Sequence, residues 1–250
     1  MCGSTQGIGL AIARELALLG ADCTLIARNA KALGEVIRDL DTSLGQRHNF
    51  LIADFSKPDE VRKAIEEHVK LHVVHILINN TGGPPAGMII DAKEEDFIKA
   101  FNQHLVCNHI LTKAVVPSMK REGYGRIINI ISTNVRIPLK NLGVSNTIRG
   151  AVASWAKTMA NELGQFNITV NNLLPGNIDT QRLASVIEAS AKNSNISTDK
   201  VEQAMKNEIP MKRFGEPSEI AAVAAFLASP AGSYVSGTSI PVDGGKTGSI

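Results

Sequence analysis

Residues 3–21 read GSTQGIGLAIARELALLGA, and this stretch decides the predicted fold. Three glycines spaced G-x-x-x-G-x-G stand at the beginning of a run whose apolar residues recur every three to four positions, which predicts a helix. Glycines allow a backbone to approach a diphosphate, and the first turn of a helix offers free N–H groups and a partial positive charge. The stretch therefore predicts a dinucleotide-binding turn, although such a glycine spacing also occurs in ordinary strand-to-helix turns.

Apolar runs and helical patterns alternate along the rest of the chain. Strands are predicted at residues 23–27, 49–54, 73–80, 126–132, 168–176 and 238–245. Helices are predicted at residues 30–44, 58–70, 93–120, 145–163, 180–207 and 216–229. The strands are continuous apolar runs, typical of a parallel sheet covered on both faces, so one α/β domain is predicted over residues 1–250. Within 181–207, the polar stretch 190–200 is expected to lie between elements, either as a mobile substrate lid or as a solvated insertion.

Composition and charge narrow the functional classes. Of the 250 residues 44% are hydrophobic, which argues against disorder, and the net charge of +2 gives no footprint for nucleic acid or for an anionic membrane. Cys2, Cys23 and Cys107 form no C-x-x-C pair, which argues against disulfides and a cysteine zinc site and favours the cytoplasm. No apolar run approaches the roughly 20 residues that span a bilayer, and no signal-peptide pattern is visible. We therefore expect no metal, nucleic-acid or membrane partner.

Further motifs follow the glycine stretch in a recognisable order. They are Asp54, Asn79-Asn80-x-Gly82, Ser132 and Pro175-Gly176. With them the whole chain resembles the short-chain dehydrogenase/reductase family, in the compact type similar to 3-oxoacyl-carrier-protein reductases. The resemblance implies a doubly wound parallel sheet (Rossmann fold) with strand order 3-2-1-4-5-6-7 and the cofactor at the point where that order reverses. It also implies hydride transfer between a nicotinamide cofactor and a small carbonyl or alcohol substrate.

The resemblance further implies which residues bind the cofactor. The turn residues that would hold the diphosphate are Gly3, Ser4, Gln6, Gly7, Ile8 and Gly9. The residues that would hold the nicotinamide carboxamide, in a P-G-x-x-x-T pattern, are Pro175, Gly176, Ile178 and Thr180. Asp54 would contact the adenine, and Asn80 and Gly82 would line the adenosine ribose and support the central strand. From the residues alone, Asp54 could equally cap the turn at 55–58, and Asn80 could equally cap its own strand end.

The end of the second strand of the family pattern bears on the choice between NAD and NADP. NAD enzymes favour an acidic residue there, which binds the ribose 2′-hydroxyl, whereas an arginine suits the 2′-phosphate. This chain reads LIARN over residues 25–29, with Arg28 and no acid. The planar guanidinium matches a phosphate, so NADP(H) is favoured over NAD(H). The alternative is that Arg28 simply opens the next helix in solvent.

The catalytic positions are where this chain departs from the family. Relatives use an Asn, a Ser and a Tyr-x-x-x-Lys pair. Ser132 ends its strand where the family serine belongs, but the thirteenth residue after it is Ser145, and four further on is Arg149. Counting back 13 residues from the helix proline gives His104 in place of the asparagine, while Asn108 one turn later is the alternative.

These replacements change the available chemistry. A serine hydroxyl is a much weaker acid than a tyrosine phenol, and arginine cannot exchange a proton, whereas histidine titrates near pH 6.5. One hypothesis is an active enzyme in which Ser132 polarises the carbonyl, Arg149 holds the ribose, and His104 passes the proton directly or through water and Ser145. The other is an NADP(H)-binding module, regulatory or structural, with little or no catalysis. An ordinary buried histidine is the alternative role of His104.

Two further expectations concern the assembly and the beginning of the chain. The predicted helices 93–120 and 145–163, together with segment 226–245, are expected to form the contacts of a homo-oligomer, as a dimer or a tetramer. Leu105, Ile110, Leu111 and Trp155 could be interface or core. In the family an apolar strand precedes the glycine turn, but here only Met1 and Cys2 do. We therefore expect most of that strand to lie upstream of the given sequence, since strands 2 and 4 of the family order would otherwise lack their shared neighbour.

Overall fold

The computed structural model describes residues 1–249 and shows strands and helices alternating along the chain. The strands are β1 (Thr24–Ala27), β2 (Asn49–Ile52), β3 (Ile76–Asn79), β4 (Gly125–Ile130), β5 (Ile168–Pro175) and β6 (Ser239–Val242). The helices are α1 (Gly7–Leu18), α2 (Ala30–Asp39), α3 (Pro58–His68), α4 (Glu94–Phe101), α5 (Cys107–Glu122), α6 (Gly143–Leu163), α7 (Gln181–Ser194), α8 (Thr198–Asn207) and α9 (Pro217–Ala228). Within residues 1–249, no helix combines the length and apolar character that a membrane crossing requires.

The strands form a parallel sheet in two parts joined by the first residues of the chain. One part has the order β3-β4-β5-β6, and the other pairs β1 with β2. Between them, Cys2 N donates to Ile78 O (3.1 Å), Gly3 N donates to Ile26 O (3.0 Å), and Ile26 N donates to Met1 O (2.7 Å). The order across the molecule is therefore β2, β1, residues 1–3, β3, β4, β5, β6, which confirms the doubly wound fold. The place of the expected first strand is taken by these three residues.

Helices cover both faces of the sheet because successive strand residues point to opposite sides. On one side Ile78 and Ile128 lie in a core with α1 and α9, which includes the fully buried Ile12 and Ile220. On the other side, the neighbouring strand residues belong to a core built on α3, α5 and α6; they are Leu77, Ile127 and Val170. Burial on both faces explains why the strands read as continuous apolar runs.

Three asparagines and a serine interrupt these apolar strands and form a ladder across the sheet. Asn79, Asn129, Asn172 and Ser239 occupy paired positions on β3, β4, β5 and β6. Each amide Nδ2 donates to the next strand: Asn79 to Asn129 Oδ1 (2.9 Å), Asn129 to Asn172 Oδ1 (3.0 Å), and Asn172 to Ser239 Oγ (3.1 Å). Except for Asn79 Oδ1, which has no partner among the described residues, the ladder satisfies amide groups that would otherwise be costly in the interior.

Two predicted helices are interrupted in the structure. Between α4 and α5, the segment Asn102–Val106 has π-helical hydrogen bonding. The predicted helix 180–207 is two helices, α7 and α8, because Asn195 ends α7 in the left-handed conformation (φ 52°). The stretch 190–200 therefore covers the end of α7, a turn and the start of α8, and the pair has a small core of its own around Ile187 and Val201. Its role as a lid remains a prediction.

Candidate active site

The glycine turn is tight and needs glycines for steric reasons. Gly3 and Gly7 have left-handed backbones (φ 57° and 54°), which side chains rarely adopt. A Cβ atom at Gly9 would collide with the carbonyl oxygen of Gly3 and lie 2.7 Å from Asn80 Nδ2. The turn leads into α1, whose N-cap residue, Gln6, makes no side-chain hydrogen bond to the first N–H groups. The start of α1 therefore keeps N–H donors available for an anion.

Asn80 and Ser4 both support the turn from within. Asn80 follows β3, and its Nδ2 donates to Gly3 O (3.1 Å) and to Cys2 O (3.4 Å). The Ser4 side chain is fully buried, and its Oγ donates to Met1 O (3.4 Å). Both side chains are thus engaged inside the turn, whereas Gln6 is exposed and Ile8 is half-buried at its outer edge.

The segment after β5 lies against the glycine turn. Gly176 N donates to Val242 O (3.0 Å), and a Cβ atom at Gly176 would lie 2.6 Å from the Cβ of Asp243. Thr180 Oγ1 caps α7 by accepting the N–H of Leu183 (3.3 Å). The Thr180 methyl group lies 3.4 Å from where a Cβ of Gly7 would be, so the two motifs meet. Pro175 and Ile178 are buried and anchor this segment.

Arg28 and Asp54 mark the other end of the predicted cofactor site. Arg28 follows β1, is exposed, and forms no ion pair within residues 1–249. Asp54 follows β2, and its Oδ1 accepts the N–H of Ser56 (2.9 Å), so it does cap the turn. Partial burial alone would raise the pKa of Asp54, but the hydrogen bonds from Ser56 and the charges of Arg28 and Lys57 hold it below its usual value. Asp54 is therefore ionised at neutral pH. Gly82 is exposed on the loop after β3.

His104 lies in the π-helical segment and is 3% exposed. Its Nδ1 is 2.6 Å from Thr81 Oγ1, and its Nε2 is buried without a hydrogen-bond partner among the described residues. Burial, followed by the positive charge of Arg149, lowers the pKa of His104 to about 3. The imidazole is therefore neutral at physiological pH. Single π turns of this kind are frequently found at functional sites.

The two serines of the predicted site are held by one asparagine. Ser132 Oγ accepts the backbone N–H of Asn134 (3.3 Å), and Ser145 Oγ accepts from Asn134 Nδ2 (3.4 Å). Asn134 and Ser145 are buried, and Ser132 is half-buried at the end of its strand. Because each hydroxyl oxygen is used as an acceptor, each O–H hydrogen is free to donate to another group.

Arg149 is 9% exposed and extends between the ends of β3 and β4. Its Nη1 donates to Ile130 O (3.2 Å), and its Nη2 lies 3.3 Å from where a Cβ of Gly83 would be. Burial, followed by the charge of Arg182, lowers the pKa of Arg149 to about 10. Arg182, exposed in the first turn of α7, donates from Nη2 to Pro84 O (3.2 Å). The loop after β3 is therefore bordered by two arginines and His104.

The structure brings the predicted catalytic residues to one edge of the sheet but does not connect them all. No hydrogen bond joins His104 to Ser145 among the described residues; the histidine bonds to Thr81 instead. Asn108 is buried in α5, beyond the π segment. The residues whose roles sequence reasoning missed are Thr81, Asn134 and Arg182. Asn134 had a signal, since an asparagine two residues after a strand-ending serine favours a turn. The contacts of Thr81 and Arg182 join distant parts of the chain.

Metal ligands do not cluster in this region. Among residues 1–249, no three His, Cys, Asp or Glu side chains converge as a metal site. The three cysteines are buried free thiols.

Comparison with known proteins shows the same architecture in oxidoreductases. Residues 3–247 match a family model described as enoyl-(acyl carrier protein) reductase. The chain is 33% identical to the NADPH-dependent reductase BacG of Bacillus subtilis, over 99% of this chain and 96% of that protein. It is 32% identical to the 3-oxoacyl-[acyl-carrier-protein] reductase FabG of Pseudomonas aeruginosa, over 97% and 94%.

Solved structures agree with these sequence matches. A crystal structure of YwfH, an NADPH-dependent reductase involved in bacilysin biosynthesis, superposes with a TM-score of 0.93 at 33% identity, covering 100% of this chain and 97% of that one. L-sorbose reductase from Gluconobacter frateurii, complexed with NADPH and L-sorbose, superposes with a TM-score of 0.93 at 30% identity, covering 100% and 96%.

Proposed function

The chain belongs to the short-chain dehydrogenase/reductase family, and from this premise we propose that it is an NADP(H)-dependent oxidoreductase acting on a small carbonyl or alcohol. The observation that carries the proposal is the position of His104. A buried imidazole with an unpartnered Nε2 lies beside Arg149, at the same sheet edge as the glycine turn and the segment 175–180. The edge where parallel strands end is where ligands bind in open α/β sheets.

The residues of the predicted cofactor site fit a dinucleotide carrying a 2′-phosphate. The turn is a cradle that a Cβ at Gly9 would fill, and the start of α1 presents N–H groups without a side-chain cap. Arg28 is exposed beyond β1 with no acid beside it in sequence, which suits a phosphate on the adenosine ribose. Thr180 and Gly176 would line the nicotinamide end. When bound, the nicotinamide supplies or accepts the hydride.

His104 is the group that exchanges the proton in this proposal. When an alcohol is oxidised, the neutral imidazole can accept the hydroxyl proton at Nε2. In reduction, the imidazole first takes up a proton from solvent, and the imidazolium then gives the Nε2 proton to the carbonyl oxygen. Thr81 Oγ1 at Nδ1 orients the ring. A positioned acid–base group of this kind contributes about 10²–10⁴-fold in rate.

The other polar residues bind and orient the substrate oxygen. Ser132 and Ser145 can both donate a hydrogen bond to it, since Asn134 occupies an acceptor position on each hydroxyl oxygen. Arg149 cannot take part in proton transfer because its guanidinium stays protonated at neutral pH. Its role is to hold the nicotinamide ribose, through the N–H groups that Ile130 O does not use.

The direct test is the His104→Ala variant, assayed for NADPH oxidation across a panel of aldehydes and ketones. We expect kcat to fall by about 10²–10⁴-fold with the affinity for NADPH unchanged. His109→Ala, which changes an exposed histidine on α5, is the matched control and should keep wild-type rates. Unchanged activity in His104→Ala would remove the histidine from the mechanism.

A second candidate function is an NADP(H)-binding module with little or no catalysis. It is favoured by the absence, within residues 1–249, of any hydrogen bond between either serine and a side-chain base. Titration of NADPH by fluorescence, run beside the turnover panel, separates the two candidates. Tight NADPH binding without turnover of any carbonyl would support the module.

The proposal extends to the assembly, the compartment and the lid. On α4, Ile98 (61% exposed) and Phe101 (42%) support a face that contacts a second copy, as does the fully exposed Tyr234 in segment 226–245. Ile110 and Leu111 are core residues, whereas Leu105 and Trp155 are half-buried.

We expect a homotetramer in the cytoplasm, with α7 and α8 closing over the substrate. A monomer in analytical ultracentrifugation at micromolar concentration would contradict the assembly.

A further inference from the structure

Arg149 is a buried cation without an anion. No carboxylate within residues 1–249 lies within ion-pair distance of its guanidinium. Its single hydrogen-bond acceptor in the described chain is the carbonyl oxygen of Ile130 (3.2 Å). The influences on its pKa are burial and a second cation, with no acid among them. Buried charges in proteins are as a rule paired or bound to a ligand, because desolvating them alone is costly.

Arg182 brings a second guanidinium to the same place. A Cβ atom at Gly83 would lie 3.3 Å from Arg149 Nη2 and 3.8 Å from Arg182 Nη2, so both groups face this glycine. Arg182 is exposed at the start of α7 and is held there by Pro84 O. It is absent from the ion pairs of residues 1–249 as well.

Two arginines that repel each other at one point of a cleft are stabilised by an anion placed between them. Resting on the proposed function, we propose that the substrate is a short oxo acid, or the corresponding hydroxy acid, whose carboxylate binds Arg149 and Arg182. The reacting carbonyl group then lies next to that carboxylate, because His104 and Arg149 border the same loop, 81–84. A carboxylate suits this site since guanidinium groups bind it through paired N–H donors.

The bound anion also prepares His104. In the free protein, burial and the charge of Arg149 both disfavour the imidazolium. A carboxylate beside Arg149 offsets that positive charge and raises the pKa of His104, which favours the proton-donating form. Burial, the larger cause of the lowered pKa, is unchanged by the anion, so the carboxylate removes only the part that comes from Arg149.

The test compares oxamate, which carries a carboxylate, with oxamide, in which a neutral amide replaces that carboxylate. Binding of each to the NADPH-loaded protein is measured by isothermal titration calorimetry. We expect oxamate to bind at least tenfold more tightly than oxamide. Arg182→Gln, on an exposed helix position where folding is not at risk, should weaken oxamate binding about tenfold while the Kd of NADPH changes less than threefold. Arg149→Lys should weaken oxamate binding further.

The control is Arg121→Gln, an exposed arginine at the end of α5, beside the opposite edge of the sheet. It should leave oxamate binding unchanged. Equal binding of oxamate and oxamide to the NADPH-loaded protein would overturn the inference alone. Two other outcomes would assign the arginines to the cofactor phosphates and would also overturn the inference. One is that oxamate displaces NADPH, and the other is that the Arg182→Gln variant no longer binds NADPH. Failure of the wild-type protein to bind NADPH would refute the proposed function itself.

Discussion

Because the pKa of His104 is lowered in the folded protein, we expect the free energy of unfolding to depend on pH. This prediction can be tested without a substrate. In the unfolded chain a histidine titrates near its ordinary pKa of 6.5, whereas in the folded protein the pKa of His104 is lowered to about 3. Between these values the unfolded chain holds a proton that the folded protein does not. Stability is therefore present above pH 6.5 and is lost as the pH falls, by about 1.4 kcal/mol per pH unit.

The variant that isolates this effect is His104→Gln, which keeps a polar side chain but removes the titrating group. Between pH 6.5 and pH 5 the histidine should cost the wild-type protein about 2 kcal/mol of unfolding free energy. The variant should therefore lose about 2 kcal/mol less than the wild type when urea unfolding is compared at pH 7.5 and pH 5. Comparing each protein with itself cancels the packing change that the substitution causes.

Gln103→Ala is the matched control, since it changes a non-titrating residue in the same π segment. It should show the wild-type dependence on pH. If His104→Gln loses as much stability on acidification as the wild type does, the histidine is protonated in the folded protein. The reasoning from its burial beside Arg149 would then be refuted.

Three further outcomes are expected. Gly9→Ala places a methyl group against the Gly3 carbonyl oxygen, so we expect a loss of about 1–3 kcal/mol of stability in thermal melts and weaker NADPH binding; wild-type values would contradict the tight turn. Arg28→Gln should reduce the ratio of kcat/KM for NADPH over NADH about tenfold, and an unchanged ratio would leave Arg28 in solvent. Asn129→Leu leaves its two ladder partners unpaired and should cost about 2–5 kcal/mol in urea unfolding, whereas a neutral effect would show that the ladder is dispensable.

Local patterns predict most of the fold, because buried strands appear as continuous apolar runs and helices as apolar residues that recur every three to four positions. The glycine turn was equally readable, since its close approaches admit no Cβ atom. The π segment was not predicted, because an extra residue in a helical turn leaves no mark on the apolar periodicity of 93–120. The break at Asn195 was missed for a similar reason: one left-handed asparagine ends α7 inside a continuous polar helix pattern.

The candidate site was predicted position by position but not contact by contact. Counting along the chain predicts His104, Ser145 and Arg149, and their roles stay a prediction. The structure brings His104 and Arg149 to a common loop. The partnership of His104 with Thr81 joins α4–α5 to the loop after β3, which no spacing rule describes. The contact of Arg182 with the loop after β3 was not predicted either, because segment 181–207 carries no cluster of charges that indicates a ligand.

The asparagine ladder has a consequence for how the chain folds. Its amides all donate in the direction of β6, so none can reverse without the reversal of its neighbours. The strands that carry it are far apart in the chain, and they must find one another late and in register. A slip of one strand by one residue would turn its ladder residue to the other face of the sheet and break the hydrogen bonds that this residue makes. The ladder thus favours the native register, in which three amides donate in series across the four strands.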